Sequence, residues 1–455
     1  VSSSIVRYPD DSSEETMTRR AWVLVLLGIL IPGTPQMLAG SKRFGRFAVR
    51  STFALWVIVA LAAVLNFAAR ATLLTLATNF VVLTLAQVVI VFYGALWVVL
   101  AVDTMRLVRF VRVAPVARAL VAIVGVASLV VIGGAGAYGF TIAGATRKTV
   151  DAVFSGGQIA APINGRYNIM LLGADAGADR QGLRPDAISV VSIDAATGKP
   201  TIIGIPRDLE EVPFVAGSPM AAVYPDGYGA RGCRVDACLM NSIYTEVTLK
   251  SPELYPTAKA NGSQPGIEAM RDAVEGITGL TVQYYALIDM QGFSALIDAL
   301  GGVTIDSVAR LPIADTVDSR GRPPPGTTFI EAGVQHMDGT TALLYARLRA
   351  GSNDYERMAR QHQVQEAILQ QFDATNVLTK FERVAAAGAQ VVSTDIPQQM
   401  LGFFVELAAK ARSLPVDKLE LVPPLIDPQD ADYKYARQLV AKQLPIPTAS
   451  PTPTR

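Results

Sequence analysis

At 455 residues, 51% of them hydrophobic and with a positive mean hydropathy, the chain is too apolar for a wholly soluble protein of ordinary composition. Its net charge of +1 hides two unlike parts: residues 1–143 hold 12 Lys/Arg against 5 Asp/Glu, and the remainder 28 against 34. An acidic C-terminal part argues against nucleic acid as a partner, because that affinity rests on neutralising phosphates with cations.

The first elements in chain order are uncharged apolar runs at Ala21–Ser41, Ser51–Ala69, Ala71–Val102 and Ala119–Thr146. Each approaches or exceeds the roughly 20 residues that cross a bilayer, so at least three spans are expected. Several runs are equally hydrophobic, which argues against a cleavable signal peptide. Lys42, Arg43, Arg46 and Arg50 fill one short loop, and Arg106, Arg109, Arg112 and Arg118 another. Both loops are expected in the cytoplasm, which puts everything after about residue 147 outside. Cations flank the first run on both sides and Pro32-Gly33-Thr34-Pro35 interrupts it, leaving two readings open, a re-entrant hairpin or a full span.

Beyond the membrane part, β-rich stretches at Tyr167–Leu172, Ala187–Ile193, Thr201–Ile205 and Tyr284–Ile288 alternate with Gly/Asp/Pro-containing loops. Helical patterns cover Gly266–Thr278, Phe293–Leu300, Tyr355–Phe372 and much of 379–411. The expected organisation is an N-terminal tail (1–20), a transmembrane helical region with three or four segments (21–146), a linker (147–165), an extracytoplasmic mixed α/β domain (166–440) and a Pro/Thr-rich disordered tail (441–455).

Cys233 and Cys238, the only cysteines, lie in a loop-like Gly/Asp-containing segment. The expectation is a disulfide, which persists only in an oxidising compartment; the alternative is two free thiols. The lack of a second ligand pair, with neither His336 nor His362 nearby in sequence, argues against a zinc site.

Three clusters of charge sit beside the predicted elements. Asp175, Arg184 and Asp186 flank the loop between the first two strands, and two nearby carboxylates suit Mg²⁺ completed by phosphate oxygens. Ile205-Pro206-Arg207-Asp208 ends the third strand with an Arg-Asp pair. In Tyr345-Ala346-Arg347-Leu348-Arg349, an extended conformation would project Arg347 and Arg349 from one face. Asp354, Arg357 and Gln361 follow at i, i+3 and i+7 on a predicted helix that Asn353 or Asp354 could cap. Solvated loops and faces are the plain alternative for each cluster. Together, several arginines and few carboxylates, with no Ser-His or Cys-His arrangement, suit a polyanionic phosphate substrate, because Arg binds phosphate oxygens bidentately.

The ordered blocks NIMLLGADAGADRQGLRPDAISVVSID, IIGIPRD, ALIDMQGFSALIDALGGVTID, AGVQHMDGTTALLYARLR and DYERMARQ, from about Tyr167 to Phe372, resemble the LytR-CpsA-Psr family. The multi-span N-terminus and the LLGADAG/GLRPD wording look most like actinobacterial members. The resemblance implies an α/β/α sandwich that transfers a glycan phosphate from a polyprenyl pyrophosphate carrier to peptidoglycan, releasing polyprenyl phosphate. It assigns Mg²⁺ to Asp175 and Asp186. It assigns the pyrophosphate to Arg184, Arg207, Arg347, Arg349, Arg357 and Gln361, and support of Arg357 or proton transfer to Asp354. One departure is Gly177, where many members carry Arg; Arg180 lies close behind. Partners implied are the lipid-linked donor, the peptidoglycan acceptor and membrane lipid. The alternatives are hydrolysis of the lipid pyrophosphate and a non-catalytic glycan- or lipid-binding sensor ectodomain.

Overall fold

The computed structural model describes residues 6–7, 9, 13–69, 72–73, 76, 79–153, 157–175, 184–314, 318, 322–350, 352–371 and 392–445. The chain divides into two units, Val1–Lys148 and Thr149–Arg455.

In the first unit, helix α1 (Glu14–Leu30) starts on Ser13, whose hydroxyl accepts from the Thr16 amide at 3.3 Å, with Glu14 and Glu15 in the first turn. It stops before Pro32-Gly33. Gly33 has φ +101°, and a Cβ there would lie 2.6 Å from the Ala48 Cβ, so only glycine fits. A short α2 (Thr34–Ala39) follows, then α3 (Lys42–Ala68), α4 (Phe80–Val108) and α5 (Pro115–Val153). Three stretches, Lys42–Ala68, Val81–Val108 and Pro115–Gly144, are long and apolar enough to cross a membrane. The first apolar run is therefore a helix, a break and a short helix, neither of them among those three stretches. Buried Gln36 fastens α2 to α4, its Nε2 donating to the Leu100 carbonyl at 3.0 Å and to Thr104 Oγ1 at 3.1 Å. Such bonds hold a broken helix in an apolar setting, where no water satisfies polar atoms. Helix α5 continues to Val153, into the segment expected to be linker.

The second unit is built on a six-stranded mixed sheet. Strands β1 (Arg166–Asp175), β2 (Arg184–Asp194) and β3 (Pro200–Ile205) form an antiparallel meander. Strand β4 (Tyr284–Asp289) lies parallel to β1; β9 (Val392–Thr394) and β10 (Asp417–Glu420) complete the order β10-β3-β2-β1-β4-β9. Between β3 and β4 come α6 (Pro219–Val223), α7 (Ser242–Lys250) and α8 (Pro265–Thr278). After β4 come α9 (Met290–Leu300), β5 (Val303–Ser307), β6 (Leu311–Pro312), β7 (Phe329–Ile330), β8 (Gly333–Met337), α10 (Gly339–Arg347) and α11 (Asp354–Gln371). Helix α12 (Leu401–Ala411) precedes β10, and α13 (Tyr433–Gln443) closes the unit.

The central strands are apolar on both faces because both are covered. Met170, Leu172, Val190 and Ile203 pack against α7, α8 and α13. Ile169, Val191, Ile193 and Ile202 meet α12 and the end of α11. The result is the α/β/α sandwich expected. Strand β9 is a correction, since Val392–Thr394 fell in a predicted helix; its pairing to β4 outweighs local helical pattern. Residues 372–391, covering the rest of that predicted helix up to its pairing strand, and residues 446–455 of the predicted tail lie outside the described residues.

Asp272 on α8 accepts from the Tyr255 hydroxyl. Burial, with the charges of Glu275 and Glu268 adding to it, raises its pKa from 3.8 to about 6. The unfolded chain therefore ionises first, and stability present at pH 4 is lost as pH rises through about 6. Two pKa units correspond to at most about 3 kcal/mol, reduced by partial solvent exposure. Asp272→Asn should accordingly melt higher than the parent above pH 6 and show no such gain at pH 4, as thermal unfolding at the two pH values will reveal.

Candidate functional site at the carboxyl ends of the strands

Strands β1, β3 and β4 run in one direction and β2 in the other, so the end of β1, the start of β2 and the exit of β3 share one edge. In open α/β sheets this carboxyl edge is the usual place for a ligand site. Register pairs Gly173 with Ala187 but Ala174 with Pro185, leaving Asp186 as the extra residue of a β-bulge. A bulge breaks the strict alternation of the strand and re-aims a side chain.

Here the Asp186 carboxylate receives Arg207 Nη1 at 2.6 Å and Asn241 Nδ2 at 3.4 Å. Arg207, two residues beyond β3, also donates through Nε to Asp354 Oδ2 at 2.8 Å. Asp354 opens α11 and pairs with Arg357 one turn on, Oδ1 to Nη1 at 3.0 Å and Oδ2 to Nη2 at 3.2 Å. A chain Asp186, Arg207, Asp354, Arg357 thus joins β2 and the β3 exit to α11, which lies 147 residues beyond Arg207 along the sequence. Burial pushes the Asp186 pKa up, but the Arg207 hydrogen bond and the charges of Arg207, Arg357 and Arg349 outweigh it, and the carboxyl is held below its usual range.

Arg357 is the most buried member, its side chain 3% exposed. Its Nε has no hydrogen-bond partner among the described residues. Burial, then repulsion from Arg207, lowers its pKa to about 10 despite the attraction of Asp354. Such a depression means positive charge is in excess and under-solvated at this point.

The other sequence-predicted residues fall around this chain. Arg184 begins β2, and its charge is felt at the Tyr228 hydroxyl. The backbone of Asp175 ends β1 opposite Arg184. The position of the Asp175 side chain, and residues 176–183 with Gly177 and Arg180, lie outside the described residues. Gln361 Nε2 donates to the Ala346 carbonyl at 3.4 Å, tying α11 to α10.

The extended reading of Tyr345–Arg349 is corrected: Arg347 is the last residue of α10, with Leu348 beyond it. The reason is Arg360, whose Nε donates to the Tyr345 carbonyl at 3.1 Å and whose Nη2 donates to that of Leu348. It satisfies carbonyls that a helix end leaves open and so carries the helix to Arg347. Arg347 and Arg349 therefore leave from a helix end and the turn after it. Arg347 lines an open cleft with Met290, Gln291, Ser294, Asp298 and Leu343, while Arg349 is exposed, near enough to act on Asp186 and Arg357. Asn353, not Asp354, caps α11: its Oδ1 accepts from the Glu356 amide at 2.8 Å.

Asn241 carries no motif signal. Its amide donates to the Arg207 carbonyl at 3.0 Å, and it stands just beyond the segment closed by the Cys233–Cys238 disulfide, whose Cα atoms are 5.6 Å apart. That segment hangs on Glu246 of α7, 2% exposed, which accepts from the Tyr224 and Tyr228 hydroxyls and the Arg234 amide. Alkylation of unreduced protein should therefore modify neither cysteine. Joint replacement by serine should lower the unfolding free energy by about 2 kcal/mol, the chain-entropy value for so short a loop, measurable by denaturant titration.

The fit to Mg²⁺ rests on Asp186, an ionised oxygen donor at the cluster's edge. Among the described residues no group of three or more His, Cys, Asp or Glu could hold a metal. A cation here would draw most of its ligands from phosphate oxygens and water, as Mg²⁺ commonly does.

Three helices long and apolar enough to cross a membrane thus precede an open α/β unit that gathers guanidinium groups at its strand ends. Residues 142–423 match the LytR_cpsA_psr family, and the chain belongs to that family. Among curated relatives, the cell wall biosynthesis protein LcpA of Corynebacterium glutamicum is 29% identical over 64% of this chain and 57% of its own. A polyisoprenyl-teichoic acid–peptidoglycan teichoic acid transferase, TagU of Bacillus mycoides, is 25% identical over 61% of this chain and 79% of its own. The crystal structure of TagV from B. subtilis aligns at 19% identity, covering 62% of this chain and 98% of that one, with a TM-score of 0.42. The chain spans only about half the length of some curated relatives, 50 and 57% for two of them.

Proposed function

We propose that this chain is a membrane-anchored transferase that moves a glycan phosphate from a polyprenyl pyrophosphate carrier to peptidoglycan, outside the cytoplasm and with Mg²⁺. The observation that carries this reading is Arg357: a buried guanidinium whose Nε has no partner among the described residues and whose charge, repelled by Arg207, is only partly offset by Asp354, leaving an excess that a pyrophosphate would neutralise. Arg207, Arg349 and Arg357 would grip the phosphates, Arg184, Arg347 and Gln361 would flank them, and Asp354 would orient two of the guanidinia through both its oxygens. Mg²⁺ held by Asp186 and Asp175 would neutralise charge on the phosphate oxygens.

In the reaction the acceptor hydroxyl oxygen forms a bond to the glycan-bearing phosphorus. The bond from that phosphorus to the bridging oxygen breaks, polyprenyl phosphate leaves with the electron pair, and the hydroxyl proton passes to solvent. Little covalent chemistry is asked of the protein, so positioning and charge neutralisation suffice. The transferase name of the Bacillus relative supports the reaction class. The disulfide and the basic residues, which lie in the first turns of α3 and around the α4–α5 connection rather than in two loops, support an external catalytic unit.

The test is release of polyprenyl phosphate by the full chain in lipid nanodiscs, supplied with a polyprenyl pyrophosphate-linked glycan and Mg²⁺, with and without peptidoglycan. Release that requires peptidoglycan, with glycan appearing on it, is the expected result. Equal release without acceptor would replace transfer by hydrolysis, and no release with retained binding would make the unit a sensor.

A further inference from the structure

Two side chains of α11 that the proposed chemistry does not use hold this helix to β10. His362, its side chain 3% exposed, donates through Nδ1 to Glu420 Oε1, and Glu366, one turn on, pairs with Lys418. Residues 362 and 366 share a helix face and lie about 6 Å apart along the axis, while 418 and 420 share a strand face and lie roughly 6.6 Å apart. The spacings match. The two pairs therefore act as a two-pronged clasp that fixes where α11 lies along the strand.

The His362 prong adjoins the cationic site on both elements that build it. It lies five residues beyond Arg357 on α11, and Gly204, the register partner of Glu420, lies three residues before Arg207. A Cβ at Gly204 would overlap Glu420 Oε2 and the His362 ring, so only glycine at this point of β3 admits the pair. Glu420 Oε2 is buried and has no partner among the described residues. A half-satisfied buried pair adds little stability, because desolvation offsets attraction, and fixing register is its best-attested use.

We propose that His362 is a positioning residue for the transfer reaction: bonded to Glu420, it sets the height and rotation of α11 at which Asp354 meets Arg207 at 2.8 Å and Arg357 meets the phosphates. The phosphate contact rests on the function proposed above, and the placement of the helix on geometry alone. Other ties of α11 act elsewhere. Arg360 and Gln361 bind it to α10 rather than to the sheet, and the neutral bond of Gln365 to Ser189, at 3.2 Å, lies about two turns beyond Arg357. Misplacing a binding group by about 1 Å can cost roughly 100-fold in rate, so a register device next to the site has a large lever on it.

The test uses the full chain in lipid nanodiscs. Nitroxides are placed on cysteines replacing Ala359, exposed on α11, and Tyr435, exposed on α13 across the sheet; the native cysteines are closed in their disulfide and take no label. Dipolar spectroscopy reads the distance between the labels, and calorimetric titration with inorganic pyrophosphate and Mg²⁺ reads the site. His362→Phe fills the space without a donor, whereas His362→Asn puts an amide nitrogen where Nδ1 stands. Val364→Ala, at a 1% exposed position of the same helix in a separate apolar cluster, softens α11 with the clasp intact. The phenylalanine variant should shift or broaden the distance by about 1.5 Å, the rise of one helical residue. Its pyrophosphate affinity should fall about 10-fold, the worth of one charge-assisted hydrogen bond. Asparagine should restore both, and Val364→Ala should change neither, although it melts lower. If His362→Phe does not fold, Glu420→Met removes the acceptor instead and carries the same expectation. An unchanged distance, or an equal change in Val364→Ala at equal loss of melting temperature, would overturn the proposal. A shifted distance in a protein whose parent form binds no pyrophosphate would strike the proposed function and leave the positioning of α11 standing.

Discussion

Replacing Arg357 with methionine is expected to lower turnover of a polyprenyl pyrophosphate-linked donor by about 10²- to 10³-fold, the cost of removing one preorganised donor from a charge-stabilising site. The same change should leave the unliganded protein as stable as before, or more so. Arg357 is 3% exposed, and burial together with Arg207 works against its charge. Methionine fills similar volume without an under-solvated cation, and replacing buried charge by a well-packed apolar group is often neutral or stabilising. Asp354 is not orphaned, because Arg207 still donates to it at 2.8 Å. Arg357→Lys should fall between, keeping charge but losing the planar fork. Kinetics and thermal melting are measured together, with and without inorganic pyrophosphate and Mg²⁺. Pyrophosphate should raise the melting temperature of the parent and not of the methionine variant. Equal loss of activity and stability would instead make Arg357 part of a structural ion-pair chain.

The second large effect concerns stability. Glu246 has no role in the proposed chemistry, yet it is 2% exposed and accepts three hydrogen bonds: from Tyr224, from Tyr228 at 2.9 Å and from the Arg234 amide at 2.9 Å. Burial and the Glu246 carboxylate both push the two phenol pKa values up, so both hydroxyls keep their protons to donate. Glu246→Ala removes one acceptor group and strands three donors, at an expected cost of about 3 to 5 kcal/mol in unfolding free energy. Glu246→Gln keeps the carbonyl acceptor and should cost roughly 1 to 2 kcal/mol. Urea unfolding distinguishes the two. Since Met240 and Asn241 follow the disulfide segment onto the backbone of Leu209 and Arg207, the alanine variant should also loosen the site. A loss below 1 kcal/mol would show that the three donors find other partners.

The amino-acid sequence by itself determined the membrane-type helices, because uninterrupted apolar length is a local property, and it determined the central strands, whose buried runs need no partner to be recognised. It also determined which residue types gather: the arginines and carboxylates of three separated blocks were legible from their chemistry. Only tertiary structure decided how they meet. The bulge that turns Asp186 towards Arg207 depends on strand register, and the end of α10 at Arg347 depends on Arg360 reaching back from the next helix. Asn241 and Glu246 were silent in sequence for the same reason: hydrogen bonds between distant segments leave no periodicity or spacing along the chain. The pairing of Arg207 with both Asp186 and Asp354 fixes the charge excess at Arg357, because desolvation and repulsion depend on distance in space rather than on position in sequence.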